Sequence, residues 1–225
     1  MNNKLVFIVE GKSEVQFVED KLIPYLYSKG IALGWSLRAQ TINTNVKQQK
    51  KGGVGSYQKF KNDLIRTAHN DESVFVTTLV DFFRLPSDFP CFTDNSNMIN
   101  EIESAIRNDL EDDIPSNHFF PYIQRHEFEA LMFANVDGFR MVVDDERQIE
   151  ELSVIVNSYK NPEDINGGPD TAPSKRLSNI FPYNKVLHGE FIMGEISVDE
   201  IRSRCPRFDM WIENIEFVLK NGFFN

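Results

Sequence analysis

Lys4-Leu5-Val6-Phe7-Ile8-Val9 runs directly into Glu10-Gly11, and Val74-Phe75-Val76-Thr77-Thr78-Leu79-Val80 runs directly into Asp81. Both runs are short, almost uninterrupted in their hydrophobicity, and rich in β-branched and aromatic residues. That pattern suits strands buried on both faces of a parallel sheet rather than strands with one wet face. Each run ends on an acid, and open α/β sheets hold their ligands at the carboxyl ends of their strands. If the two strands are neighbours, their ends lie about 4.8 Å apart. A single magnesium ion, which takes oxygen ligands at about 2.1 Å, can then bridge both carboxylates and keep positions open for water or phosphate. Without a cation the two acids repel, and one of them tends to hold a proton.

Between and after these strands the chain alternates helix and strand signals. A helix is expected after Gly11, with Ser13 and Gln16 spaced as a capping box, an apolar face at Val15, Val18, Leu22, Tyr25 and Leu26, a bend at Pro24 and a stop at Gly30. Trp35–Ile42 reads as a second strand, Tyr57–Ala68 as a helix capped by Ser56, and Met98–Leu110 as an amphipathic helix on Ile99, Ile102, Ile106 and Leu110. Phe119–Gln124 reads as a further strand and His126–Phe133 as a short buried helix. From about Asp137 helical patterns dominate: Gln148–Tyr159, Pro173–Ile180, Asn184–His188, Val198–Arg202 and Phe208–Lys220. The expected architecture is an α/β domain over residues 1–136, a mainly parallel sheet flanked by helices, with a helical region over 137–225 packed on it.

Composition narrows the function. The chain has 225 residues, a formal net charge of −10, and two isolated cysteines, Cys91 and Cys205. That excludes a disulfide framework and a zinc cluster. No apolar run approaches the roughly 18 residues a membrane helix needs, and the opening Met1-Asn2-Asn3-Lys4 lacks an apolar leader. A cytoplasmic protein is expected. An acidic chain does not grip nucleic acid through its overall charge, so a nucleic-acid substrate calls for a local basic patch, metal ions or a partner.

Several groups can serve such chemistry. Lys12 and Ser13 sit at a helix start, where backbone N–H groups face outward toward anions. Lys50 and Lys51 belong to a loop that also carries Lys47, Lys59 and Lys61 around Gly52-Gly53. Lys175 and Arg176 form a second basic spot after Pro173. In Gln124-Arg125-His126-Glu127-Phe128-Glu129, either glutamate can complete a metal shell or act as a base, Glu127 being favoured for its nearness to the strand end. His126 can serve as a proton carrier. Each also has a plain structural reading: capped helix, solvated lysine loop, or acids placed near a helix N-terminus.

Ile8-Val9-Glu10-Gly11-x-Ser13-Glu14, Leu79-Val80-Asp81-Phe82-Phe83-x-Leu85-Pro86 and His126-Glu127-Phe128-Glu129-Ala130-Leu131-Met132-Phe133 together resemble a bacterial Toprim-related family of unknown function. Thr171–Leu177 and Cys205–Trp211 extend the resemblance over nearly the whole chain. It implies a Rossmann-like Toprim sheet and magnesium- or manganese-dependent phosphodiester chemistry. Glu10 then matches the family's glutamate and Asp81 the first aspartate of its Asp-x-Asp. The second aspartate is replaced by Phe83, so Glu127, Glu129 or Asp88 would have to supply the missing ligand. The resemblance further implies an AAA- or ABC-type ATPase partner in phage defence. Two functions follow as expectations: a nuclease-like effector with metal on Glu10, Asp81 and Glu127, or a degenerate adaptor that regulates the ATPase.

Overall fold

The computed structural model describes residues 3–42, 53–70, 74–165, 168 and 170–222. The chain divides into two compact units, Met1–Ile123 with Asn214–Asn225, and Gln124–Glu213. The first unit runs to Ile123, and the end of the chain groups with it.

The first unit is an α/β sheet. Its strands are β1 (Asn3–Val9), β2 (Trp35–Thr41), β3 (Val74–Asp81) and the two-residue β4 (Phe119–Phe120), in the order β2-β1-β3-β4. The pairings β1–β2, β1–β3 and β3–β4 are all parallel. The short β5 (Ile123–Gln124), where the unit ends, also pairs with β3. Every residue of β3 is buried, as the unbroken apolar run demands of a central strand covered on both faces. Pro121 has no N–H to give a ladder, which separates β4 from β5. The Thr78 hydroxyl fills the gap, donating to the Tyr122 carbonyl at 2.9 Å and accepting from the Tyr122 N–H at 2.8 Å.

Helices α3 (Tyr57–Ala68) and α4 (Ile99–Asp109) pack on one sheet face, where Phe60, Leu64, Ile99, Ile102 and Ile106 meet Val6, Ile8, Val74, Val76 and Val80. Side chains alternate along a strand, so the buried Leu5, Phe7, Val9, Phe75 and Leu79 serve the opposite face. The step from β1 to β2 and the step from β2 to β3 cross the sheet in opposite directions. Right-handed crossovers therefore put the helices of the first step opposite to α3. Those helices are α1 (Lys12–Phe17) and α2 (Ile23–Ser28), joined by a π-helical turn, Val18–Leu22. Pro24 explains the turn, because its ring clashes with the carbonyl four residues back and the helix widens to relieve it. The expected Ser13–Gln16 box does not form: the cap residue is Gly11, no side chain bonds it, and Ser13 is buried within the first turn.

The second unit is helical. The 3₁₀ segment Phe128–Ala134 is buried at all seven positions. Around it lie α5 (Glu146–Ser158), α6 (Pro173–Ile180), α7 (Lys185–Glu195), α8 (Val198–Arg204) and the start of α9 (Pro206–Asn221). Phe208, Trp211 and Ile212 are buried, so the start of α9 packs internally. Arg204 ties the unit together by donating to the carbonyls of Val156 at 2.9 Å and Tyr159 at 2.8 Å. The turn Asp137–Met141 meets α7 closely at Gly138, where a Cβ would lie 2.8 Å from the Ile192 carbonyl oxygen and 2.8 Å from Ile196 Cγ1. Backbone cannot yield there as a flexible side-chain end can. Gly138→Ala is expected to lower stability by about 2 kcal/mol, read as a reduced denaturant midpoint with an unchanged slope.

Candidate functional site

The first and third strands are neighbours, in register from Lys4 opposite Val74 to Val9 opposite Leu79. In that register Glu10 comes opposite Val80 and Asp81 stands one residue beyond, so both acids reach the same edge of the sheet. The Glu10 carboxylate reaches across the strand gap and accepts the backbone N–H of Asp81 at 3.1 Å. Asp81 is only 7% exposed, and Glu10 is half-buried. The place has a topological meaning. The chain leaves β1 toward β2 on one side and leaves β3 toward β4 on the other, with covering helices on opposite faces. The carboxyl ends of β1 and β3 flank the switch point at which open α/β sheets form their ligand crevice.

Sequence spacing alone assigns Glu14 no role at this edge, yet it is buried at this same turn, 2% exposed. Its Oε2 lies 3.0 Å from where a Cβ on Gly11 would sit, so the carboxylate folds back close over the turn. A signal for it exists: Glu14 stands three residues after the cap, where an acid folds back over a helix start. Lys12 is exposed on the first turn of α1.

After Asp81 the chain turns sharply. The Leu85 N–H donates to the Phe82 carbonyl at 3.1 Å, and Leu85 and Phe89 are buried. Asp88 caps α3: both its oxygens accept the Tyr57 N–H at 3.0 Å. Lys61 lies elsewhere, paired with Asp109 at 2.9 Å and Asp113 at 3.4 Å. Its ammonium pKa is raised, chiefly by the Asp109 hydrogen bond. Lys47, Lys50 and Lys51 fall outside the described residues.

In the second unit His126 takes the left-handed conformation, φ 65°. This residue reverses the chain, leaves Glu127 extended, and delays the 3₁₀ segment to Phe128; the helix expected from His126 does not begin there. Both oxygens of buried Glu127 are bonded to one residue: Oε2 accepts the Ser174 N–H and Oε1 the Ser174 hydroxyl, each at 2.9 Å. The start of α6 thus already holds an anion, the protein's own. Glu129, 2% exposed, faces Lys185 at 3.3 Å. Arg176 donates to the Thr171 carbonyl at 2.8 Å and the Tyr159 hydroxyl at 3.1 Å, while Lys175 is exposed.

Burial, then the nearby Arg125 charge, holds the His126 imidazole below its ordinary pKa, and burial lowers that of His118. An unfolded chain takes up these protons near pH 6.5, before the folded one does. Stability is therefore expected to fall as the pH drops through about 6.5, and this loss to level off below the depressed folded values. Urea midpoints at a series of pH values check it. His126→Asn, which tolerates the left-handed backbone, should flatten the profile.

Among the described residues no group of three or more His, Cys, Asp or Glu is arranged to hold a metal ion, and no helix is long and apolar enough to cross a membrane. The Glu10–Asp81 donor set still fits magnesium, a hard cation commonly held by one or two carboxylates that retains several waters. It does not fit a closed structural ion.

A profile of the family described as "Domain of unknown function (DUF4276)" matches residues 9–216. Among solved structures the chain is similar to the C-terminal region of the Burkholderia pseudomallei OLD protein, with 14% identity and a TM-score of 0.47, over 96% of this chain and 99% of that one. A comparison with curated proteins finds no match.

Proposed function

We propose that this chain, which belongs to the DUF4276 family, is a magnesium- or manganese-dependent phosphodiester-cleaving protein whose metal is held by Glu10 and Asp81. The observation that carries the reading is the Glu10 carboxylate on the Asp81 N–H at 3.1 Å, at the sheet's switch point. That bond fixes the Glu10 side chain across the gap, so both carboxylates belong to one edge before any cation arrives. A bound divalent ion would supply charge neutralisation, polarisation of a phosphate oxygen and a more acidic water. The chain's own groups do the rest. Glu10 and Asp81 orient their oxygens toward the crevice, and Lys12 at the start of α1 draws a phosphate to its rim. Glu127 and Glu129 keep the roles their bonds describe, as a helix cap and a partner for Lys185.

The test is cleavage of labelled DNA and RNA by the purified chain in magnesium, in manganese and in EDTA, with and without an ATPase encoded beside it. Cleavage that needs the metal supports the reading; metal-independent cleavage removes it. A bacterial defence role and an ATPase partner rest on the Toprim resemblance alone. A second reading, an adaptor on such an ATPase, is favoured by Phe83 in place of the second aspartate and by the absence of a third ligand among the described residues. It expects ATPase regulation that persists in Asp81→Asn and no cleavage under any condition.

A further inference from the structure

The turn after Asp81 contains a residue whose backbone conflicts with its side chain. Phe82–Leu85 is closed by the Leu85 N–H on the Phe82 carbonyl at 3.1 Å, and its third residue, Arg84, has φ 63°. A turn with positive φ at that position favours glycine, which adopts it without strain. Arginine stands there instead. Leu85, next along, is buried and anchors the turn, while Arg84 is exposed. Its guanidinium lies over the Phe83 ring, 5.1 Å from the centroid. This cation–π contact ties the guanidinium to the ring and uses none of its N–H donors. Among the described residues Arg84 forms no salt bridge, in a chain with 34 acids to 24 Lys and Arg. An exposed guanidinium three residues beyond Asp81 suits a phosphodiester, which arginine recognises through two parallel hydrogen bonds.

We infer that Arg84, held by Phe83, grips a backbone phosphate of a nucleic-acid strand beside the Glu10–Asp81 crevice. This rests on the phosphodiester reading above and adds to it a positioning residue.

Binding is measured by fluorescence anisotropy with labelled single-stranded DNA and RNA over a salt series. The parent protein is used in EDTA, and Asp81→Asn in magnesium. Arg84→Gln should weaken binding about three- to tenfold and reduce the slope of log K against log salt by about 0.7, the value for one phosphate contact on a single strand. Arg84→Lys should restore the slope but only part of the affinity, since a point charge neither stacks nor forks. Phe83→Leu should fall between them. Arg84→Gly should bind as weakly as Arg84→Gln with an equal or higher melting temperature, which separates lost contact from lost fold. Arg147→Gln, an exposed position on α5, should change neither quantity. If Arg84→Gln keeps the parent's affinity and slope, or if Arg147→Gln matches its loss, the inference is overturned and the Glu10–Asp81 reading stands. If neither the parent in EDTA nor Asp81→Asn in magnesium binds DNA or RNA, the inference falls together with the nucleic-acid substrate. If the parent binds but its cleavage ignores magnesium, only the metal reading falls.

Discussion

On the proposed reading, Asp81→Asn is expected to remove magnesium-dependent cleavage, by about a thousandfold or more, and Glu10→Gln to do the same. Both substitutions keep side-chain volume and remove one negative charge. Losing one preorganised charged partner of a developing phosphoryl charge costs on the order of 10²–10³ in rate. On that reading the cation would be lost as well. The effect on the fold runs the other way. Two carboxylates brought to one sheet edge repel, and neutralising one relieves that repulsion. Glu10→Gln would also keep a side-chain oxygen able to accept the Asp81 N–H, so the bond seen at 3.1 Å has a successor. In EDTA both variants should therefore melt at or above the parent's temperature. Magnesium should raise the parent's stability, by about 2.7 kcal/mol at a hundredfold excess over its dissociation constant. It should leave the variants unmoved. This pair of signs can be read in a thermal melt with no substrate present. A parent insensitive to magnesium, or variants destabilised in EDTA, would remove Glu10 and Asp81 as a cation site and favour a purely structural edge.

The sheet and that edge are readable in the sequence because the physics behind them is local. A strand buried on both faces has little choice but to be a continuous apolar run, and β1 and β3 are such runs. The bounds of α3 follow from a Ser56 side chain that accepts the Lys59 N–H, a bond between residues three apart. What escapes is non-local or finely local. Glu127 caps α6 across 47 residues and Asp88 caps α3 across 31, and no spacing rule signals a cap brought in by the fold. The 3₁₀ segment at Phe128–Ala134 is apolar around its circumference, which separates buried from exposed but not three residues per turn from 3.6. The same limit hides Glu14. Its capping spacing is visible, but its burial depends on a close approach to Gly11 that arises only in three dimensions. The α7 helix, expected to end at His188, continues to Glu195 with Gly189, Ile192 and Met193 buried, and tertiary packing outweighs weak helix propensity.

Glu163 carries the largest expected stability effect outside the candidate site. It lies in a stretch, Asn161–Pro169, that reads as a polar connection, and it is 0% exposed. Its carboxylate accepts the backbone N–H of Arg207 at 2.8 Å and of Phe208 at 3.2 Å. Those two donors belong to the first turn of α9, whose N–H groups have no partners within the helix. Glu163 therefore caps α9 from 44 residues away, and its negative charge meets the positive end of the helix dipole. Pro206 leads the helix without an N–H of its own, which leaves the next two donors for the carboxylate. The nearby charge, after burial itself, also helps push the Cys205 thiol well above its ordinary pKa, so that sulfur stays a packed apolar group. Glu163→Ala would strand two donors in a dry interior and open a cavity. Hydrogen bonds to a charged group contribute about 1.5–3 kcal/mol, and a lost cap about 1. A fall of about 3–4 kcal/mol in unfolding free energy is expected. Glu163→Gln should lose roughly half of that, because one amide oxygen can serve the helix end while the amide nitrogen cannot. Denaturant melts of the three proteins measure the ladder. Equal stability of Glu163→Gln and Glu163→Ala would show that charge alone, not acceptance of the two N–H groups, holds α9 in place.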